Sequence, residues 1–301
     1  QKQMVKMHPD GGILNIDVLS FGRLSHRIFE EVGRDDRLVL DDTGKCLLLR
    51  KVAEAEKEHI PVLAVGLKKP GYIQEVKSVL SEFMQYGLKP EDVEKLSEYS
   101  EHKRPLYLKL KDLSHIYRAF LKECEDKFIT KEETLDLLTK RLKLSETVKR
   151  STFVFDGFTG FTPIQNNVIE ELMCLSENVI ITLEMDHRYS PYRMEGEDFL
   201  FHLSRQTVKT LQKKAELNRI PMKDEIMLSH TPVKRFENNA ELSHLERNLF
   251  REKGSTYKES VSSIQIVRAA NVREECSCLC AEMFGMIEKQ GYRYRDIAVV
   301  T

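Results

Sequence analysis

The segment from Ser151 to Asp186 constrains the chain more than any other. STFVFDGF (Ser151 to Phe158) has the apolar, β-branched and aromatic character of a strand. A helical pattern follows from Pro163 to Leu175, and NVIITLEMD (Asn178 to Asp186) reads as a second buried strand. Strand, helix, strand is the grammar of a parallel sheet, which commits the chain to an α/β fold. In such sheets the loops at the carboxyl ends of the strands carry the chemistry.

The flanking segments extend this reading. ILNIDV (Ile13 to Val18) alternates as a strand does, and Ser20 precedes FGRLSHRIFEEVG, whose Leu24, Ile28, Phe29 and Val32 recur at helical spacing up to Gly33. From Arg34 to about Arg150 the pattern is helical, with almost no strand signal; one helix opens with Pro90 and acidic residues behind it. DFLFHLSRQTVKTLQKKAELN is a long amphipathic helix, and SIQIVRAA, REECSCLCAEMFGMIEKQG and YRDIAVV read as strand, helix and strand. The expected organisation is an α/β domain from residues 1–35 and 151–260, an all-helical insertion over 36–150, and the opening of a second α/β domain over 261–301. Val18 and Phe153 are then expected in one sheet.

A chain of 301 residues has room for about two such domains. Its 47 Lys and Arg against 48 Asp and Glu give a formal charge of -1, so there is no global basic footprint and any nucleic-acid contact must rest on a local groove. No apolar run reaches the ~18 residues that span a bilayer. The six cysteines are too sparse for a disulfide scaffold and fit a reducing, cytoplasmic compartment.

An apolar strand ending in Asp156 has the form of a Walker B element, in which the carboxylate holds Mg²⁺ near a phosphate. A strand-ending Asp that caps the following turn is the alternative. An active motor places Glu next, to position or deprotonate water, and here Gly157 has no side chain to do so. No G-x-x-x-x-G-K-S/T loop occurs: Gly44-Lys45 lacks the first glycine, is followed by Cys46, and reads as the start of a helix. Cys276, Cys278 and Cys280 could not converge on one metal from a helix, because Cys278 points nearly opposite the other two. No metal ligands and no catalytic residues are read from the sequence. In SFGRLSHR, a strand-to-helix corner presents Phe21, Arg23 and His26, which suits single-stranded nucleic acid: a ring to stack on a base and a guanidinium for phosphate or a guanine edge. The same residues also fit an amphipathic helix start with a solvated Arg.

Together, GILNIDVLSFGRLSHRIFEEVG, FVFDGFTGFTPIQNNVIEELM and IQIVRAANVREECSCLCAEMFGMIEKQGYRYRDIAVV resemble the AddB (RexB) subunits of the bacterial AddAB helicase-nucleases over essentially the whole chain. The resemblance implies a segment of a longer protein and a parallel-sheet, helicase-like fold of the P-loop NTPase, superfamily 1 type, without motor activity. It implies a role in processing DNA double-strand breaks for recombinational repair, with AddA as the partner that supplies the motor, and with single-stranded and duplex DNA. For the parent protein it implies ATP with Mg²⁺, a nuclease domain and a 4Fe-4S cluster, the last two beyond Thr301; no cofactor is expected in this segment. The family's contacts to the Chi recombination signal fall on Phe21, Arg23, His26 and Phe158, and Asp156-Gly157 becomes a degenerate Walker B. Two alternatives are a scaffold whose helical insertion docks AddA without reading DNA, and a working ATPase.

Overall fold

Helix α1 (Lys2–Met7) buries none of its residues, and from Gly12 to Ser20 the chain has no regular structure beyond a bend. The computed structural model describes residues 2–67, 69–193, 196–230, 232–251 and 254–300, which divide into two units between Glu225 and Ile226. The alternating ILNIDV segment is not a strand, and Val18 does not share a sheet with Phe153. A strand exists only where a neighbour takes its N–H and C=O groups. Among the described residues none pairs with this one, and Leu14, Ile16 and Val18 stay exposed.

Ser20 starts α2 (Phe21–Val32), its Oγ accepting the Arg23 N–H at 3.4 Å, and Gly33 ends it by returning its N–H to the Phe29 carbonyl. Next come β1 (Leu38–Leu40) and, far along the chain, β2 (Phe128–Thr130), a parallel pair with Leu38 opposite Phe128 and Leu40 opposite Thr130. The segment expected to be helical throughout thus carries its own small sheet, separate from the later one. Runs of three residues are too short to show a period of two.

Between these strands lie α3 (Asp42–Ala55), α4 (Pro61–Ala64), α5 (Pro70–Gln85), α6 (Pro90–Tyr99) and α7 (Arg104–Cys124). Their apolar faces form one core, whose buried residues all fall between Leu40 and Cys124. Helix α4 has no side-chain cap of its own; the Asp112 carboxylate of α7 instead accepts the Val62 and Leu63 N–H groups at 2.8 and 3.0 Å. Burial pushes the Cys124 thiol up to about 12, which keeps it protonated and unreactive.

The chain continues through α8 (Lys131–Arg141), α9 (Glu146–Lys149), β3 (Thr152–Phe155), α10 (Pro163–Leu175), β4 (Asn178–Ile181) and α11 (His202–Leu217). Ile28 and Phe29 of α2 join Leu138, Phe155, Val168, Leu172 and Leu211 in a second core. Helix α8 belongs to this core, and Arg141 at its end donates to the Gly33 carbonyl and lies over the Phe29 ring. Strands β3 and β4 pair in parallel, Thr152 opposite Asn178 through Phe155 opposite Ile181, with α10 as the crossover. One face of the pair is closed by the core. On the other, the register partners Val154 and Ile180 are 60% and 51% exposed, so neither strand is buried on both faces as the apolar runs suggest.

In the second unit, α12 (Ala240–Asn248) and α13 (Val272–Gln290) are the α-helices among the described residues. SIQIVRAA and IAVV, expected as strands, are irregular, with Ile266 and Val300 more than nine-tenths exposed. The same lack of a pairing neighbour accounts for both. No helix among the described residues is long and apolar enough to cross a membrane.

Glu31, on α2, accepts from the Ser145 hydroxyl at 2.6 Å and from the Glu146 and Thr147 N–H groups, closing the start of α9. The Ser145 hydroxyl, opposed by partial burial and helped by Thr147 and Glu146, holds this carboxyl below its ordinary 4.5. A carboxyl lowered in the folded state stabilises fully above its unfolded value, and the contribution fades as pH falls through the folded value. Glu31 is exposed, so solvent screening limits the effect: Glu31→Gln should cost roughly 0.5 kcal/mol at neutral pH, and the gap to the parent should shrink at pH ~3. Urea unfolding at the two pH values measures it; an equal gap at both would show that the charge contributes nothing.

Candidate functional site

Two corners meet at the carboxyl end of β3. The first is the start of α2. With Ser20 as cap, Phe21 occupies the first helical position and Arg23 and His26 follow on exposed surface. The second is the loop from Asp156 to Thr162. Gly157 holds φ +78°, a left-handed conformation that glycine adopts without strain, while a Cβ there would meet nothing within 4 Å. The constraint is backbone conformation and not space. Thr162 closes the loop with a capping box, its Oγ1 accepting from the Gln165 N–H and Gln165 Oε1 accepting from the Thr162 N–H, with Pro163 at the first turn.

Phe21 and Phe158 approach edge to face with ring centroids 6.0 Å apart. Phe155 lies beneath both, 5.7 Å from Phe21 in a stacked arrangement and 6.2 Å from Phe158, and Phe161 completes the group, 4.9 Å from Phe158 and 5.8 Å from Phe155. Phe155 is buried; Phe21, Phe158 and Phe161 each keep part of their surface open. The result is an aromatic platform with a rigid underside. Phe155 and Thr182 are the residues that sequence reasoning missed. Phe155 was visible only as one apolar residue in a strand, and nothing near Thr182 in sequence marks it.

Arg23 and His26 are exposed on the same helix, but helical spacing turns them well away from the face through which Phe21 meets the other rings. His26 Nδ1 stands 3.7 Å from Glu30 Oε1, which Arg34 also meets at 2.8 Å, and Arg27 reaches Asp17 at 3.8 Å. The exposed side of α2 carries Arg23 and Arg27 with Glu30, and Arg34 follows the helix; Asp17 and Glu30 offset Arg27 and Arg34, which leaves Arg23 as the cation next to the start of the helix. Asp156, at the tip of β3, is exposed and accepts a hydrogen bond from the Thr182 hydroxyl just past β4, while the Thr182 N–H donates to the Phe155 carbonyl. One carboxylate oxygen is thereby spent on holding the two strand ends together.

Gly44 and Lys45 do not form a phosphate-wrapping loop. Gly44 and Lys45 lie in the first turns of α3, where Asp41 caps the Gly44 N–H at 2.6 Å, and Lys45 Nζ is buried against Glu132 at 2.7 Å and Ser81 at 3.1 Å. Nor do the cysteines of α13 fit an iron-sulfur cluster, which takes four thiolates. The helix runs unbroken through Cys276, Cys278 and Cys280, with Cys278 on nearly the opposite side from the other two.

Residues 1–246 match the family described as ADDB, N-terminal. A Lachnoclostridium phytofermentans protein, described as the B-type subunit of an ATP-dependent helicase/deoxyribonuclease, is 38% identical over 304 residues, covering 100% of this chain and 26% of that protein. Proteins of the same description are 33% identical in Bacillus subtilis (99% of this chain, 26% of that protein) and 30% identical in Acetivibrio thermocellus (100% and 26%). The chain thus spans about a quarter of the length of the relatives it matches. With the match covering most of its residues, the chain belongs to the AddB N-terminal family.

Proposed function

We propose that this chain is the DNA-holding, non-motor part of a helicase-nuclease subunit that processes double-strand breaks, and that single-stranded DNA lies across the Phe21–Phe158 platform. The observation that carries the reading is the convergence of two corners, far apart in sequence, on one partly open aromatic surface, with Arg23 and His26 exposed on the helix that carries Phe21. Rings of this kind stack on bases whatever the sequence, and guanidinium groups supply phosphate or guanine-edge contacts. The βαβ unit is consistent with a helicase-like sheet. The absence of a phosphate-wrapping loop from the described residues and the glycine after Asp156 suit a protein that holds a strand without driving along it. The relatives' description as a subunit of a helicase/deoxyribonuclease supports a partner subunit, and in this reading the partner is an AddA-type motor in the cytoplasm.

Phe21 and Phe158 also support the core, so the test separates binding from folding. Arg23→Ala, at an exposed position, should weaken single-stranded DNA binding without changing unfolding. Phe158→Leu keeps most of the apolar volume and loses the stacking face, worth ~1 to 3 kcal/mol per base. Fluorescence anisotropy with oligonucleotides differing at one guanine distinguishes the roles of Arg23: lost discrimination means base readout, and uniform weakening with a shallower salt slope means phosphate contact. If neither variant changes binding, in the chain alone or assembled with its partner, the platform is not the DNA site and docking of the motor partner is the better account.

A further inference from the structure

Away from this platform, Glu56, His59 and His115 bring three ligand atoms within 4.8 Å of one another. Glu56 follows the last turn of α3, His59 lies in the turn before α4, and His115 projects from the middle of α7. The Glu56 Oε2 atom meets His115 Nε2 at 2.7 Å and His59 Nδ1 at 3.3 Å. The two imidazoles stack, centroids 5.1 Å apart and planes within 20°. Two rings thus present nitrogens to one carboxylate oxygen from different elements.

The backbone under each ligand is fixed. Ile60, next to His59, and Ile116, next to His115, are fully buried. The His59 N–H closes a turn onto the Glu56 carbonyl at 2.8 Å, and Asp112, one turn before His115, grips the start of α4. The site is therefore held on both sides before any ligand arrives, which removes much of the ordering cost of binding.

We propose that Glu56, His59 and His115 form a site for a late first-row divalent metal ion, with zinc as its best chemical match, clasping the α3–α4 turn to α7. Two neutral imidazoles and a carboxylate are a zinc donor set, whereas Mg²⁺ and Ca²⁺ take oxygen ligands almost exclusively. Tetrahedral ligands with bonds of about 2.0 to 2.1 Å stand roughly 3.3 Å apart. The existing separations need only small side-chain rotations to reach this, with the metal replacing the His115–Glu56 hydrogen bond and the His59–Glu56 contact. The His59 side chain is 65% exposed, so the ion has a path from solvent and water can complete the coordination.

Chelator-treated protein titrated with zinc chloride in a calorimeter tests this, with magnesium chloride as the control. The parent should bind one zinc per chain and no magnesium at the same concentrations. His59→Ala and His115→Ala should each weaken zinc binding about tenfold or more while leaving the far-ultraviolet circular dichroism unchanged. Since free thiols are zinc ligands in general and the chain has six cysteines, Co²⁺ substitution identifies the ligands: a visible ligand-field spectrum without the near-ultraviolet sulfur-to-metal band supports the site. No stoichiometric binding by the parent, equal affinity in the exposed-site variant His59→Ala, or a thiolate band that persists in it would each overturn the proposal.

Discussion

Removing one partner of the Lys45–Glu132 pair should destabilise the chain by about 3 to 5 kcal/mol, the cost of leaving a buried charge alone. The two side chains are 3% and 9% exposed, the Nζ–Oε2 distance is 2.7 Å, and the Ser81 hydroxyl is the other partner of the ammonium. Lys45→Met strands the carboxylate and Glu132→Leu strands the ammonium. The double variant Lys45→Met/Glu132→Leu removes both desolvated charges and should recover most of the loss, since buried ion pairs replaced by apolar residues of similar size are often neutral or better. Urea unfolding of the parent, both single variants and the double variant measures the cycle. Single-variant losses under ~1 kcal/mol would mean that water reaches the pair.

Phe155→Ala should cost a similar ~3 to 5 kcal/mol. Phe155 is 8% exposed and touches Phe21, Phe158 and Phe161 at once, so truncation leaves a cavity bounded by three rings. These rings lose both contact and edge-to-face attraction. The variant should also bind single-stranded DNA more weakly, because the platform loses its underside. Phe158→Leu reverses that balance, with a stability loss under about 1.5 kcal/mol, as for volume-conserving swaps. Denaturation curves and anisotropy on the same preparations check both halves; Phe155→Ala unfolding within ~1 kcal/mol of the parent would show that the rings close over the gap.

The helices were legible because their ends are written locally. Ser20, Pro90 and the Thr162-Pro163-Gln165 box each satisfy or remove free N–H groups at a helix start, and the apolar spacing behind them points to one face. Strands were less legible because pairing is not local. ILNIDV and TFVF look alike in pattern, but only TFVF has a neighbour, NVII, delivered by α10. At the platform, Phe21, Arg23 and His26 could be chosen from residue type at a corner expected to follow a strand, although that strand does not form, and Phe158 came only from the family resemblance. The platform's floor could not, because Phe155 and Thr182 act through contacts that exist only after the chain has folded. The histidine–glutamate cluster was missed for the same reason: Glu56 and His59 are close in sequence, but His115 reaches them only through the packing of α4 on α7.

The β1–β2 pair has a consequence for how such a chain can change over evolutionary time. Leu38 and Phe128 are register partners, and the Leu38 N–H donates to the Lys127 carbonyl at 3.0 Å. The place where the chain departs into its helical block and the place where it returns are therefore adjacent strand residues, about 5 Å apart. A block whose ends nearly touch, and whose core lies wholly between them, behaves as a module in a genome. It can be lengthened or trimmed at one short seam while α2 and α8 keep their places on either side, and a replacement block must keep a cation opposite Glu132 of α8, whose buried carboxylate reaches back to Lys45.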